Sequence, residues 1–274
     1  AGLGPRYSPE NHVDLPIRRV LEATALDPRL YEELAAYSNA IKRMLTQTST
    51  AIPDVFSACD VAAHTLNEEA SARGKTFEVE KLRDSVQSAL EVTFRWHHEL
   101  RSSNPSGKST SAEEESSNLL SVLNNIAHNL AKEHWDHVHT RALLVIGDAG
   151  KGKSHLLADV CEGAINAGRP AVLILGGKLP DGEPWEEILK DLAMSEPRQP
   201  NLFLGALNAA GEAAGTRALL MIDAINERNG RAIWPERLTG LIHDVSQFEW
   251  VTLVLSCRSS YESLVVPTDL DHKR

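Results

Sequence analysis

Residues 142–154 read ALLVIGDAGKGKS, and this stretch is the strongest indication of the fold in the sequence. Their opening run, ALLVIG, is continuously apolar, which is typical of a strand buried on both faces of a sheet. From Gly147 to Ser154 the chain fits the pattern GxxxxGK[ST] without a mismatch. Glycines in this pattern let backbone N–H groups turn toward phosphate oxygens, and the following helix adds its positive dipole end. The stretch predicts a strand, a phosphate-binding loop and a helix; the alternative is a glycine-rich turn without a ligand.

The loop supplies most of the candidate nucleotide-binding residues. Lys153 is expected to reach the β- and γ-phosphates, which also makes it a candidate catalytic residue, and the Ser154 hydroxyl is expected to bind Mg²⁺. A second GKS lies within residues 106–110, but no apolar strand precedes it, so we interpret it as part of a linker. The full predicted nucleotide-binding set is Gly147, Asp148, Ala149, Gly150, Lys151, Gly152, Lys153, Ser154 and His155.

Three further apolar runs follow the loop, at residues 171–176, 218–223 and 251–256, and stretches of helical period separate them. Alternation of strands and helices predicts a parallel sheet. The predicted fold is therefore α/β, with helices on both faces of the sheet and an α-helical region before it.

Polar residues at the ends of two of these runs complete the predicted site. Asp223 is expected to hold the Mg²⁺ hydration shell, although an Asp here can instead cap a helix. Glu227 is the candidate general base, with a solvated loop acid as the alternative. Arg258 is placed to sense the γ-phosphate or to offset charge in the transition state, unless it forms only a surface ion pair.

The remaining chain divides by composition. Residues 1–16 are rich in Pro and Gly and predict an extended lead-in, residues 17–140 have helical spacing, and residues 141–274 form the α/β region. Within the helical region, residues 102–118 are Ser-rich and acidic, which predicts a flexible loop. The sequence also predicts one helix face at steps of three and four residues, made of Phe77, Leu82, Val86, Leu90, Phe94 and either His97 or His98.

Composition narrows the functional classes. The chain has 274 residues and a net charge of −10, and neither the helical nor the α/β region is basic, so direct nucleic-acid binding is not expected. Three cysteines, odd in number and without a CxxC pair, indicate a reducing cytoplasm. No apolar run approaches the roughly 20 residues of a membrane span, so no membrane partner is expected.

The motifs together resemble those of STAND-class P-loop NTPases, which belong to the ASCE/AAA+-like kind. In that class Asp223-Ala-Ile-Asn-Glu227 matches the second motif, except that Asn226 stands where the class has an acidic residue. Arg258 falls at the position of the sensor arginine of the class. The segments at 147–160, 183–189, 221–227 and 255–261, with the opening 4–17, look most like prokaryotic antiviral STAND NTPases.

The resemblance implies a central ATPase fragment of a defence sensor. It implies ATP and Mg²⁺ as ligands, a homo-oligomer formed with ATP, an effector domain on the N-terminal side, and a viral protein that acts through a sensor domain outside this chain. Residues 17–140 would then connect effector and NTPase, and the NTPase core at 141–274 is expected to be incomplete at its C-terminus.

Other functions stay open at this point. An AAA+-like nucleic-acid-remodelling ATPase would need a basic channel, and a small-molecule kinase fits Asp223, Glu227 and Arg258 poorly. A scaffold that binds nucleotide without turnover is also compatible with the sequence. ATP is favoured over GTP because the chain carries no NKxD-type segment that reads guanine.

Overall fold

The computed structural model describes residues 16–104, 109–179, 183–194, 199–228 and 230–267. These residues divide into two compact units. An α/β unit holds the described chain up to Leu26 and from His139 onward, and a helical unit comprises Asp27–Val138. The predicted lead-in at residues 1–16 lies outside the described residues, apart from Pro16.

Four long helices form the helical unit. Neighbouring helices pack on each other in chain order, and the last also packs on the first, so the contacts close into a bundle. Prolines occupy the first turn of two of them, where a missing N–H costs no helix hydrogen bond. The helices are α2 (Pro28–Gln47), α3 (Pro53–Ser71), α4 (Val79–Ser102) and α5 (Ser111–Leu130).

The buried face of α4 differs from the predicted one. Phe94 is 59% exposed and Leu90 is only half-buried, whereas Ala89 and Thr93 are buried. A series of four-residue steps drifts by about 40° per step around a helix with 3.6 residues per turn. The real face therefore alternates steps of four and three, through Leu82, Val86, Ala89, Thr93 and Trp96.

The prediction of a flexible loop at residues 102–118 is wrong for residues 111–118, because α5 already begins at Ser111. The start is fixed by a capping box. The Thr110 hydroxyl accepts from the Glu113 N–H, and the Glu113 carboxylate accepts from the Thr110 N–H. The Thr-x-x-Glu signal was present in a stretch whose low apolar content suggested a loop.

Within the described residues of the α/β unit, four strands form one parallel sheet. They are β1 (Ala142–Gly147), β2 (Ala171–Leu175), β3 (Ala218–Asp223) and β4 (Val251–Arg258). Their order across the sheet is β1-β4-β3-β2, with every neighbouring pair parallel. The predicted α/β fold is thus confirmed, and the last strand in the chain lies between the strand of the glycine loop and the strand of Asp223.

Helices cover both faces of this sheet. Alternate residues of β3 and β4 enter two separate apolar clusters, because side chains along a strand point to opposite faces. Leu220 and Leu253 lie in one cluster, whereas Leu219 and Val254 lie in the other. The covering helices are α6 (Lys153–Asn166), α7 (Pro184–Asp191), α8 (Pro200–Ala214), α9 (Gly230–Ser246) and the short α10 (Glu262–Val265).

The longest helix of the described residues, α4, does not have the composition of a membrane span. Helix α4 has 24 residues, more than the roughly 20 that a bilayer requires, but it carries charged residues along its length. None of the helices in the described ranges combines sufficient length with sufficient apolar character.

A first helix, α1 (Pro16–Thr24), belongs to the α/β unit although the helical unit separates it from β1 in the chain. The sequence placed these residues with the helical region from residue 17 onward. Leu21 is buried in the same apolar cluster as α6, and Arg18 forms an ion pair with Asp159 on α6. At the last residue of the helix, the Thr24 carbonyl accepts from the Thr252 hydroxyl at 2.9 Å. Residues distant in sequence make these contacts, so local patterns did not reveal them.

Replacement of Leu21 by Ala tests this placement of α1. Leu21 is fully buried, so Leu21→Ala is expected to lower the free energy of unfolding by about 2–5 kcal/mol. Amide hydrogen exchange of β3 and β4 should accelerate accordingly. Leu202→Ala on α8 is the matched control, because Leu202 is 63% exposed and its loss should change stability by less than about 0.5 kcal/mol. Unchanged exchange in β3 and β4 would contradict the packing described.

Candidate functional site

A cleft of about 220 Å³ opens at the carboxyl edge of the parallel sheet. Ligands of open α/β sheets bind at this edge, where the loops after the strands meet. Segments that are far apart in the chain contribute its walls, namely the loop after β1, the turn after β3 and the end of β4. The lining residues are Ala149, Gly150, Lys151, Gly152, Lys153, Ser154, His155, Asp223, Ala224, Asn226, Glu227, Ser256 and Arg258.

The glycine-rich loop has the backbone conformation that its sequence predicts. Gly150 and Gly152 have φ angles of 76° and 83°, in the left-handed region that side chains disfavour. Helix α6 begins directly after them at Lys153, so its free N–H groups face the loop. Ser154 lies in this first turn and lines the cleft. A helix N-terminus with a glycine loop in front of it is a site that favours anions.

Lys153 bends back over the loop. Its Nζ donates to the Gly147 carbonyl at 2.5 Å and to the Asp148 carbonyl at 2.9 Å. Partial burial lowers the pKa of Lys153 from its usual 10.5, and the nearby Asp223 carboxylate opposes this shift. The ammonium thus stands at the mouth of the loop, near a carboxylate that partly balances its charge.

Asp223 is buried, with 4% of its surface exposed, at the end of β3. The Ser256 hydroxyl donates to Asp223 Oδ1 and accepts from the Ala224 N–H, the latter at 2.8 Å. Ala224 itself has a φ of 55°, which costs energy in a residue with a side chain. The hydroxyl of Ser256 therefore holds both the carboxylate and the sharp turn that follows it.

Glu227 and Arg258 meet at the open side of the cleft. Arg258 Nη2 lies 3.4 Å from Glu227 Oε1, and both side chains are more than 40% exposed. An exposed pair of this kind is weak, because water solvates both charges, and it can open at little cost. The Arg258 guanidinium and the Glu227 carboxylate are thus both available to groups that enter the cleft.

Two glycines after β2, which were not predicted from the sequence as part of the site, make room for these acids. A Cβ on Gly176 would lie 2.7 Å from the Asp223 carbonyl oxygen, and one on Gly177 would lie 2.6 Å from Glu227 Oε2. Both distances are too short for a real Cβ. The signal was a Gly-Gly pair at the carboxyl end of a strand.

The structure brings the predicted site residues together. Each residue predicted to bind nucleotide lines the cleft except Gly147 and Asp148, whose carbonyls accept from Lys153. The Asp148 carboxylate also accepts from the Ser259 hydroxyl at 2.5 Å. Besides the glycines, Ser256 and Asn226 line the cleft although neither was predicted as a site residue. Ser256 was visible only as a polar residue ending an apolar run.

Oxygen atoms suited to a hard cation are present in the cleft, from Ser154 and Asp223. Within the described ranges, the cleft included, no group of three or more His, Cys, Asp and Glu side chains is arranged to hold a metal.

Comparison of the whole chain with models of known protein families finds no family model that matches it. A comparison with curated proteins likewise gives no significant match.

Gly176 offers a test of the close packing under Asp223. Gly176→Ala is expected to destabilise the α/β unit by about 1–3 kcal/mol, since its Cβ would displace the backbone of the turn after β3. Gly240→Ala in α9 is the matched control. A Cβ there meets nothing within 4 Å, so the change should stabilise the helix by about 0.5–1 kcal/mol. Urea denaturation measures both, and equal effects would contradict the geometry.

Proposed function

We propose that this chain binds ATP with Mg²⁺ in the cleft at the carboxyl edge of the sheet and hydrolyses it, as a P-loop NTPase of the STAND type. One observation carries the proposal. A glycine loop at a helix N-terminus, a lysine, a buried aspartate, a glutamate and an arginine line a single cleft although they come from three separate segments. A structural glycine turn has no need of this set of charges around it.

The loop side of the cleft suits the phosphates. Loop N–H groups, the N-terminus of α6 and the Lys153 ammonium all favour negative charge. Lys153 now donates to two loop carbonyls, and phosphate oxygens are stronger, charged acceptors for the same donor. Ser154 and Asp223 would hold Mg²⁺, which offsets the charge of the phosphates.

The opposite side suits the hydrolytic step. The attacking water forms a bond to the γ-phosphorus as the bond from that phosphorus to the β,γ-bridging oxygen breaks, and ADP leaves with that oxygen. Glu227 accepts the proton of the water, and Arg258 offsets negative charge as it develops. Because Glu227 and Arg258 pair with each other at 3.4 Å, this role requires their weak contact to open when ATP enters.

The proposed ATPase would also act as a molecular switch. The resemblance of residues 147–160, 221–227 and 255–261 to antiviral STAND NTPases supports ATP rather than GTP as ligand. It also supports a cytoplasmic sensor that forms homo-oligomers with ATP, responds to a viral protein through a sensor domain and activates an N-terminal effector domain. The helical unit would act as the connector between effector and NTPase.

Lys153→Ala tests the proposed phosphate contact. Loss of a charged hydrogen-bond donor is expected to weaken ATP·Mg²⁺ binding by about 10- to 100-fold, and any ATP-dependent increase in mass should fall with it. Calorimetric titration and native mass spectrometry measure the two effects. Lys190→Ala is the matched control, because it removes the same charge from an exposed position on α7. Equal ATP affinity of both variants and the wild-type chain would contradict the proposal.

A further inference from the structure

Strand β4 runs past the end of its neighbour β3. Their pairing ends at Ile222 and Leu255, whereas β4 continues to Arg258 against β1 on its other side, where Arg258 is opposite Gly147. The last residues of β4 thus have a strand partner on one side only. Backbone groups buried there need hydrogen bonds from another source.

The turn after β3 supplies those hydrogen bonds. The Ile225 N–H donates to the Ser256 carbonyl at 2.9 Å. Two residues further along β4, the Arg258 N–H donates to the side-chain oxygen of Asn226 at 3.0 Å. Residues two apart in a strand direct their backbone groups to the same side, so the Asn226 amide takes the place that a further residue of β3 would have.

Asn226 has little freedom to leave this position. Only 5% of its surface is exposed, although it lines the cleft. Its neighbour Glu227 contacts the Arg258 guanidinium, and the residue after Arg258 donates to Asp148 of the glycine loop. The Asn226 hydrogen bond therefore holds the backbone of Arg258 at the point where β4 meets both the loop and the acids.

We propose that Asn226 is a positioning residue, which sets Arg258 for its role in ATP hydrolysis by completing the hydrogen bonds of β4 beyond the end of β3. This inference rests on the proposed function. It also gives Asn226 a role that needs no metal contact. An aspartate of the same shape could accept the same bond, but it would add a buried negative charge beside Asp223 and Glu227, facing the phosphates.

The first test needs no nucleotide. Asn226→Ala should accelerate hydrogen exchange of the Arg258 amide by about tenfold or more, since one buried hydrogen bond is lost, whereas Asn226→Asp should preserve its protection. Asn226→Ser, whose hydroxyl is too short to reach, should behave as Asn226→Ala does and replaces it if that variant does not fold. Unchanged protection in Asn226→Ala would overturn the proposal.

The second test separates positioning from general damage. Asn226→Ala should lower kcat for ATP about tenfold and change KM by less than about threefold, because the phosphate loop is untouched. Asn226→Asp should keep kcat within about threefold and raise KM, through repulsion of the phosphates. Thermal unfolding midpoints within a few degrees of that of the wild-type chain exclude general damage.

A double-mutant cycle asks whether Asn226 acts through Arg258. In an Arg258→Ala background, Asn226→Ala should cause less than about a twofold further loss of kcat. A loss as large as in the wild-type background would overturn the proposal. A wild-type chain without ATPase activity would instead overturn the proposed function and the catalytic part of this inference, whereas the exchange measurement would still decide the hydrogen bond.

Discussion

A buried carboxylate is tolerated only when hydrogen bonds or opposite charge replace the water that it has lost. Asp223, at the end of β3, is such a carboxylate. The Ser256 hydroxyl donates one such hydrogen bond, and that same hydroxyl holds the strained turn at Ala224. Lys153 adds a nearby positive charge. The Ser256 contact joins the ends of β3 and β4 directly before the turn that carries Glu227.

The strand order explains why the end of β4 contacts two separate parts of the cleft. Strand β4 lies between β1, which leads into the glycine loop, and β3, which ends in Asp223. The chain at the end of β4 therefore contacts both neighbours. Ser259, directly after the strand, donates to Asp148 of the loop, and Ser256 and Arg258 bond to Asp223 and Asn226 on the other side. Arg258 lies between the two and contacts both Asn226 and Glu227.

Much of the α/β unit could be predicted from the sequence, because apolar runs of five or six residues bounded by glycine and polar residues specify buried parallel strands. The glycine loop was equally clear, since its motif fixes both residue type and spacing. The Asn226 contact could not be predicted in this way. This contact requires β4 to lie beside β3 and to extend beyond its end. Local sequence patterns predict neither the order of the strands nor the point at which their pairing ends.

Other misses have different causes. Phe94 was placed on a buried face because repeated four-residue steps were taken as one stripe, although they drift around the helix. The start of α5 was missed because low apolar content outweighed the capping box at Thr110. Helix α1 packs on α6 across a gap of more than a hundred residues in the chain, so its place could be found only in three dimensions.

The most direct test of the central claim, that the cleft binds the polyphosphate of a nucleotide with Mg²⁺, is a calorimetric titration of the unmodified chain. ATP, ADP and AMP would each be titrated with Mg²⁺ and again with a chelator. Affinity is predicted to fall steeply from ATP to AMP and to weaken for ATP when Mg²⁺ is removed, because in the proposed site the loop, Lys153, Ser154 and Asp223 would contact the phosphates and their cation. Equal binding of all three nucleotides, or no binding of ATP, would contradict the account.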